Sequence, residues 1–333
     1  MTRTAVRAGS KALKQTLRAA PSARKSTVAK RTPTAGTHWS AGVAVGAAGA
    51  RRYWLFKPPG VRRTERLPLV VMLHGCGQDA QALAASSQMN RIAARERFFV
   101  LYPEQDRLSN PQGCWNWYDT RTGRAQREAD TIDAAISHVR LLQPVDPERI
   151  ALAGLSAGAG MAALLATRHP ERYQAIAMHS GVAPGAAHSS ATALSAMRGR
   201  RAASVPLVPL ATGAHLPALL VIQGSADHVV APSNGAAAAL LWAAREGAQP
   251  RAPRTVQRGA RYAATITDYR TRDRLVATLC EVNGLGHAWS GGTAGQAYSD
   301  PKGPDASRMI WTFVARQFAL GRAPARMPDP PAA

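Results

Sequence analysis

A series of short apolar runs, each ending at glycine or polar residues, limits the folds that this chain can adopt. They are LPLVVMLHG, FFVLYPEQ, RIALAGLS, YQAIAMHSG and LPALLVIQG. Runs that are apolar on both faces are typical of parallel strands covered by helices. Helical patterns separate them, at about 80–96, 126–141, 157–168, 234–247 and 305–320. This alternation predicts an α/β protein with a mostly parallel, doubly wound sheet and helices on both faces.

Three further segments refine this outline. RRYWLFKPP predicts an early strand, and RYAATITDYRTRDRLVATLCEV predicts two strands joined by a charged turn. Residues 183–217 are rich in Ala, Ser, Gly and Pro and are longer than most connections. This segment is either a lid over a binding site or a tolerated surface insertion.

The charge of the chain, formally +22, is unevenly distributed. No acidic residue precedes Glu65, and residues 1–36 contain nine Lys or Arg among small residues. Such a composition buries too little apolar surface to offset the entropy of ordering. We therefore expect a disordered basic arm at 1–36, one catalytic domain at 37–320 and a flexible tail at 321–333.

Targeting and metal-binding signals are weak. A secretory signal needs an apolar stretch close behind a compact basic region. The nearest candidate, AGVAVGAAGA at 41–50, is mostly Ala and Gly. An organellar transit peptide fits the arm's composition if the source is eukaryotic, and no stretch is apolar enough to span a membrane. Three cysteines without CxxC or histidine-rich spacing predict neither a disulfide scaffold nor a metal site.

One apolar run ends in Gly154-Leu155-Ser156-Ala157-Gly158, the pattern G-x-S-x-G between a strand and a helix. The tight turn holds the serine above the sheet, at a helix N-terminus that stabilises negative charge. Glycines flank it because a side chain there would collide with the neighbouring strand or helix. A chance match is the alternative in a chain with 28 glycines. The flanking strand and helix favour Ser156 as a nucleophile.

A serine hydroxyl needs a histidine base oriented by a carboxylate, in the chain order serine, acid, histidine. Asp227 follows LLVIQG, in the loop past the carboxyl end of a strand, and His287 lies in GLGHAWSGG after a later strand. His228 is the rival base, although it is adjacent to the presumed acid. Asp268 and Asp273 are weaker acid candidates, in or beside the charged turn.

The segment MLHGCGQDA at 72–80 ends the strand that supplies one amide of an oxyanion hole in this arrangement. We expect that donor to be the amide of Cys76, with Gly75 or Gly77 as alternatives. The amide of Ala157 would be the second donor.

Five pieces of this sequence resemble the poly(3-hydroxybutyrate) depolymerase family of esterases, which includes feruloyl and acetyl-xylan type esterases. The pieces are LHGCGQ, CWNWYD, GLSAGAGM, IQGSADHVV and GLGHAWSGG. The resemblance implies an α/β-hydrolase fold, a triad of Ser156, Asp227 and His287, and ester hydrolysis without a cofactor. Family members often have proline where this chain has Ser290, a change expected to affect loop stiffness rather than the base.

The resemblance also implies a class of substrate and a cellular location. Poly(3-hydroxybutyrate) or its oligomers are the leading substrate, and a feruloyl or acetyl ester of polysaccharide is second. Many members are secreted, whereas the basic arm is more similar to intracellular depolymerases of storage granules. We expect a cytoplasmic, granule-associated protein, with an extracellular one as the alternative.

Aromatic and cysteine residues beside the motifs extend the candidate site. Trp115, Trp117 and Trp289 would offer flat apolar faces to an acyl chain or an aromatic ester, although core packing is an equal alternative for Trp117. Cys76 and Cys114 could form a disulfide that braces the oxyanion turn, but free thiols are the default in a reducing cytoplasm. Cys280, in an apolar strand, is expected to be a buried small hydrophobe.

Two other functions remain as alternatives. The arm at 1–36 could bind a lipid-coated granule, an anionic membrane or nucleic acid. Nucleic acid is disfavoured because the arm has no interleaved aromatic residues and no recognised module. A peptidase of the same fold is disfavoured only by the resemblance.

Overall fold

A computed structural model describes residues 38–201 and 215–321. The predicted arm at 1–36, residues 202–214 of the segment at 183–217, and nearly all of the tail at 321–333 lie outside the described residues. The domain boundaries predicted from the sequence therefore stay predictions.

One eleven-stranded sheet forms the centre of the described structure. Its strands are β1 (Trp39–Gly46), β2 (Gly49–Phe56), β3 (Leu67–Leu73), β4 (Phe99–Pro103), β5 (Val145–Leu155), β6 (Ala175–His179), β7 (Ala218–Gly224), β8 (Gln249–Pro250), β9 (Arg254–Val256), β10 (Ala264–Arg270) and β11 (Leu275–Val282). Their order is β1-β2-β4-β3-β5-β6-β7-β11-β10-β8, and β9 also pairs with β10. The strands from β4 to β11 in this order are parallel, and those at both edges are antiparallel.

Helices cover both faces of the sheet. They are α1 (Ala80–Ser87), α2 (Met89–Glu96), α3 (Arg124–Leu142), α4 (Ala157–Arg168), α5 (Ser190–Met197), α6 (Ser233–Arg245) and α7 (Ala306–Leu320). Along β3, Leu69, Val71 and Leu73 pack on one face with α3, α4 and α6. Val70 and Met72 pack on the other face with α1, α2 and α7. Because successive side chains alternate between two buried cores, the strand is apolar at every position.

The mostly parallel, doubly wound sheet predicted from the sequence is confirmed, and the differences are local. The helix expected at 80–96 is interrupted at Gln88, which has a left-handed φ of 56°. The apolar stretch at 41–50, weighed as a signal sequence, lies mainly in β1, paired antiparallel with β2. The predicted hairpin near the end of the chain is present as β10 and β11.

The segment at 183–217 contains an unpredicted helix in its described part. Ser189 caps α5 through a reciprocal pair of hydrogen bonds with Thr192, and Ala193 and Ala196 face the core. Across residues 38–201 and 215–321, no helix is long and apolar enough to cross a membrane.

Candidate active site

Ser156 lies in the turn between β5 and α4 with φ 56° and ψ −119°, a conformation that costs free energy for any residue with a Cβ. The turn is held by a hydrogen bond from the Ser156 amide to the carbonyl oxygen of His179, at 2.9 Å. A Cβ on Gly154 would lie 2.4 Å from the carbonyl oxygen of Gly158, and a Cβ on Gly158 would lie 2.2 Å from that of Leu73. Both distances are too short for real atoms, so the steric reason for the flanking glycines is confirmed.

Asp227 and His287 lie in loops that follow the neighbouring parallel strands β7 and β11. The Nδ1 atom of His287 donates a hydrogen bond to Oδ2 of Asp227 at 2.8 Å. The other oxygen, Oδ1, accepts the amides of Val229 and Val230 at 2.9 and 2.8 Å. Adjacent parallel strands thus bring together two residues that are 60 positions apart.

The environment of Asp227 favours its charged form. Its carboxylate is fully buried, and burial alone would raise its pKa. The hydrogen bond from His287 and the two backbone amides outweigh this cost, so the pKa of Asp227 lies below its ordinary value. A carboxylate kept ionised beside an imidazole fixes the orientation of that ring and stabilises its protonated form.

Ser156 and His287 border the same small cavity, together with Cys76 and Leu155. Since Nδ1 of His287 is bound to Asp227, the opposite ring nitrogen, Nε2, is the one that can accept a proton from Ser156. The three residues selected from the sequence are therefore gathered at the carboxyl edge of the sheet.

The rival candidates are not brought to this cavity. His228 is exposed, although it is next to Asp227 in sequence. Asp268 forms an ion pair with Arg254 and accepts the hydroxyl of Thr278 near the edge of the sheet. Asp273 is exposed in the turn between β10 and β11.

The turn at 75–77 offers one free amide. The amide of Gly75 donates to the side chain of Gln78 at 3.0 Å, and that of Gly77 donates to the carbonyl of Gln112 at 2.9 Å. Within the described residues, the amide of Cys76 has no acceptor. Cys76 and Ala157 both line a cavity with Ser156. Of the three alternatives left open by the sequence, Cys76 is thus the one whose amide is available to an oxyanion.

A buried histidine supports the same turn and was not singled out from the sequence. The Nδ1 atom of His74 donates to the carbonyl oxygen of Gly75 at 2.9 Å, and Nε2 accepts the amide of Gln105 at 3.1 Å. Burial lowers the pKa of His74 to about 4, so the ring is neutral near pH 7. Its only sequence signal was its position in LHGCGQ.

Cys76 and Cys114 are joined by a disulfide. The bond links the turn with the free amide to the loop that forms one wall of the larger cavity. Cys280 is buried in β11, where burial raises the pKa of its thiol to about 12. This position agrees with its expected role as a small hydrophobe.

The larger cavity has a volume of about 530 Å³ and opens beside Ser156. Trp115 and Trp117 are among its lining residues, although the side chain of Trp115 is fully buried, and their role in substrate binding stays a prediction. Val182 and Val230 contribute apolar surface, and α5 contributes residues that the sequence did not identify. They are Ser190, Ala193 and Met197.

The expectation for Trp289 is wrong. Its side chain is fully buried beneath the site, its indole N–H donates to the hydroxyl of Ser307 at 3.1 Å, and its ring stacks on His179. Trp289 follows His287 by two residues, so the sequence suggested that its ring faces the substrate. In the structure the loop directs this side chain into the core.

A polar network behind the cavity also escaped the sequence analysis. The carboxylate of Glu128, on α3, is buried and accepts the side chain of Gln105 and both the amide and side chain of Asn116. Asn116 in turn accepts a hydrogen bond from Asn110. These bonds fix the loop that carries Trp115 and Trp117, and they connect positions too far apart in sequence to form a motif.

The sheet order, the strained serine turn and the buried Asp–His pair define a protein of the α/β-hydrolase fold. The chain belongs to the esterase PHB depolymerase family, whose sequence profile matches residues 51–244. The predicted fold and the predicted family are thereby confirmed.

Two relatives match parts of the chain shorter than the family profile does. The poly(3-hydroxyalkanoate) depolymerase C of Paucimonas lemoignei is 32% identical over 181 residues, covering 50% of this chain and 42% of that protein. The feruloyl esterase B of Thermothelomyces thermophilus is 31% identical over 128 residues, covering 38% of this chain and 43% of that protein. The matches span less than half the length of either relative.

A solved structure shows the same fold. The acetyl xylan esterase from Aspergillus awamori superposes with a TM-score of 0.59 at 18% sequence identity, covering 74% of this chain and 94% of that one. At this level of identity the comparison establishes the fold alone.

Proposed function

We propose that this protein hydrolyses carboxylic esters through an acyl-enzyme. His287 removes the proton of Ser156, whose Oγ attacks the ester carbonyl, and the amides of Cys76 and Ala157 hydrogen bond to the oxyanion. The ester C–O bond breaks, and the leaving alcohol takes the proton from His287. Water activated by His287 then releases the acid and restores the serine, while Asp227 orients the imidazole.

The observation that carries this proposal is the bonded pair Asp227–His287 beside a serine held at φ 56°. A serine of merely structural importance has no need of a strained turn, a paired histidine and a neighbouring amide, that of Cys76, with no acceptor among the described residues. Membership of the esterase PHB depolymerase family supports the same reaction class.

A 3-hydroxyalkanoate polyester or its oligomers are the proposed substrate. The similarity to a poly(3-hydroxyalkanoate) depolymerase supports this class, and so does the apolar surface of Val182, Ala193, Met197 and Val230 in the cavity. A short branched acyl unit would fill such a surface without requiring a charged partner.

A feruloyl or acetyl ester of polysaccharide is the second candidate. The lining of the same cavity includes Asn110, Asp119 and Arg124, whose side chains can hydrogen bond to the hydroxyl groups of a sugar. The similarity to feruloyl esterase B supports this candidate.

One comparison of substrates separates the two candidates. The purified protein would be assayed on amorphous polyhydroxybutyrate granules and on methyl ferulate, with Ser156→Ala as the blank for each. The proposal predicts release of 3-hydroxybutyrate and its oligomers at a rate well above that of ferulate. A higher rate on methyl ferulate would instead favour a polysaccharide ester as the substrate.

Attachment to a granule or another anionic surface through residues 1–36 is a separate proposal, supported by the nine basic residues there. A cytoplasmic location is proposed on the same ground. The disulfide between Cys76 and Cys114 supports the extracellular alternative, because such bonds persist mainly in oxidising compartments. Granule binding that is unchanged by deletion of residues 1–36 would rule out the arm as the anchor.

A further inference from the structure

His179, the last residue of β6, lies between the two loops that carry the proposed nucleophile and base. It is fully buried. Its carbonyl oxygen accepts the amide of Ser156 at 2.9 Å, and Nε2 of its ring accepts the amide of Ser290 at 3.1 Å. One residue thus holds the turn of Ser156 through its backbone and the loop of His287 through its side chain.

The hydrogen bonds determine which ring nitrogen of His179 carries the proton. A backbone amide always donates, so Nε2 must accept from Ser290 and cannot itself be protonated. A neutral ring then carries its proton on Nδ1, which lies 3.1 Å from the hydroxyl oxygen of Ser180 and donates to it. Ser180 is buried and has a left-handed φ of 52°, which places its hydroxyl beside the ring.

The surroundings keep this ring neutral. Burial, chiefly, and the nearby His287 lower the pKa of His179 to about 3, while the carboxylate of Asp227 opposes the shift. On its face the ring stacks on Trp289, with centroids 5.2 Å apart and planes at 23°. The ring therefore contacts the base-bearing loop both by stacking and by a directional hydrogen bond.

We infer that His179 is a positioning residue, whose Nδ1-protonated ring fixes the His287 loop against the Ser156 turn. This inference rests on the proposed ester hydrolysis. His179 itself does not line either cavity at the site, so its effect on the reaction would pass through the geometry of His287.

Ser290 offers a way to separate this bond from general packing. Its backbone N–H reaches His179, whereas its hydroxyl donates to the carbonyl oxygen of Pro304 at 2.7 Å. Ser290→Pro removes the N–H, and Ser290→Ala keeps it while removing the hydroxyl. The two variants change the same buried position and differ in the one donor that the inference requires.

The test measures kcat and KM on p-nitrophenyl butyrate, with the unfolding temperature of each variant. We expect His179→Phe to lower kcat by about tenfold or more with little change in KM, because one directional bond to the loop is lost. His179→Gln, which keeps an acceptor, should recover most of kcat. Ser290→Pro should fall about tenfold below Ser290→Ala. Added to His179→Phe, Ser290→Pro should have no further effect on kcat.

Ring nitrogen NMR on ¹⁵N-histidine-labelled protein tests the tautomer independently of activity and of any variant. We expect a protonated Nδ1 and an unprotonated Nε2 on His179, unchanged between pH 5 and about 8. An Nε2-protonated ring would overturn the inference, and so would a parent-like kcat in a folded His179→Phe protein. If the parent protein lacks esterase activity, the proposed function is wrong. The spectrum still shows which ring nitrogen of His179 is protonated.

Discussion

Asp227 accepts a 2.8 Å hydrogen bond from His287, which joins the loops after two neighbouring parallel strands. It also makes part of the stability of the protein dependent on pH. The pKa of Asp227 is lower in the folded protein than its ordinary value of 3.8. Its contribution to stability is therefore fully present above that value, and is lost as the pH falls through the lowered pKa.

We expect Asp227→Asn to unfold at a lower temperature than the parent at pH 7, with the difference shrinking as the pH falls below the ordinary pKa. Thermal unfolding of both proteins from pH 7 downward measures this. Asp273→Asn, in the exposed turn, is the control and should track the parent. A difference between Asp227→Asn and the parent that is independent of pH would show that ionised Asp227 does not stabilise the fold.

Gly158 should not tolerate a methyl group. Its Cβ would lie 2.2 Å from the carbonyl oxygen of Leu73, so Gly158→Ala must displace α4 from β3. We expect a loss of at least about 1–3 kcal/mol in the free energy of unfolding, measured in urea. Gly286→Ala is the matched control, since its Cβ would meet no atom closer than 3.9 Å. Equal stability of the two variants would refute the steric explanation of the turn.

The disulfide between Cys76 and Cys114 should stabilise the protein and hold the turn with the free amide. Cys114→Ser is expected to lose about 2–4 kcal/mol of unfolding free energy, typical of a native disulfide. Its kcat should also fall, because the amide of Cys76 would no longer be fixed. Cys280→Ala, which removes a thiol that forms no disulfide and adds no polar group to the core, serves as the control. If reducing agent leaves the parent's unfolding temperature and kcat unchanged, the disulfide neither stabilises the protein nor fixes the amide of Cys76.

Helix α5 should limit the size of the acyl group. Ala193 lines the cavity, whereas Ala191 on the same helix is exposed. Ala193→Phe would fill part of the cavity and should lower kcat/KM for p-nitrophenyl hexanoate much more than for p-nitrophenyl acetate. Ala191→Phe should leave the ratio between the two substrates unchanged. A parallel loss on both substrates with Ala193→Phe would show that the cavity does not hold the acyl chain.

The sequence predicted those parts of the fold that depend on local patterns. The apolar runs predicted the parallel strands because each strand is buried on two faces, and G-x-S-x-G predicted the strained turn because its glycines leave no room for a side chain. Asp227 and His287 could be selected because their loops follow such runs. Edge strand β1 was missed because its Ala- and Gly-rich residues resemble no strand pattern.

Local sequence patterns could not predict the contacts between distant segments. The orientation of Trp289 depends on His179 and Ser307, and Glu128 reaches Asn116 only because α3 packs behind the cavity loop. Ser290 was expected to matter for loop stiffness alone. Its amide bond to His179 becomes visible only once β6 and the final loop lie side by side.

Covalent labelling with a fluorophosphonate, followed by peptide mass spectrometry, tests whether Ser156 is the nucleophile. We expect one phosphonate adduct on the peptide containing Ser156 and loss of p-nitrophenyl butyrate activity in proportion to labelling. Ser156→Ala should show neither labelling nor activity. Ser137→Ala, which removes a hydroxyl on α3 that contacts Arg172, should be labelled like the parent. Full activity in a folded Ser156→Ala protein, or an adduct on another serine, would show that Ser156 is not the nucleophile.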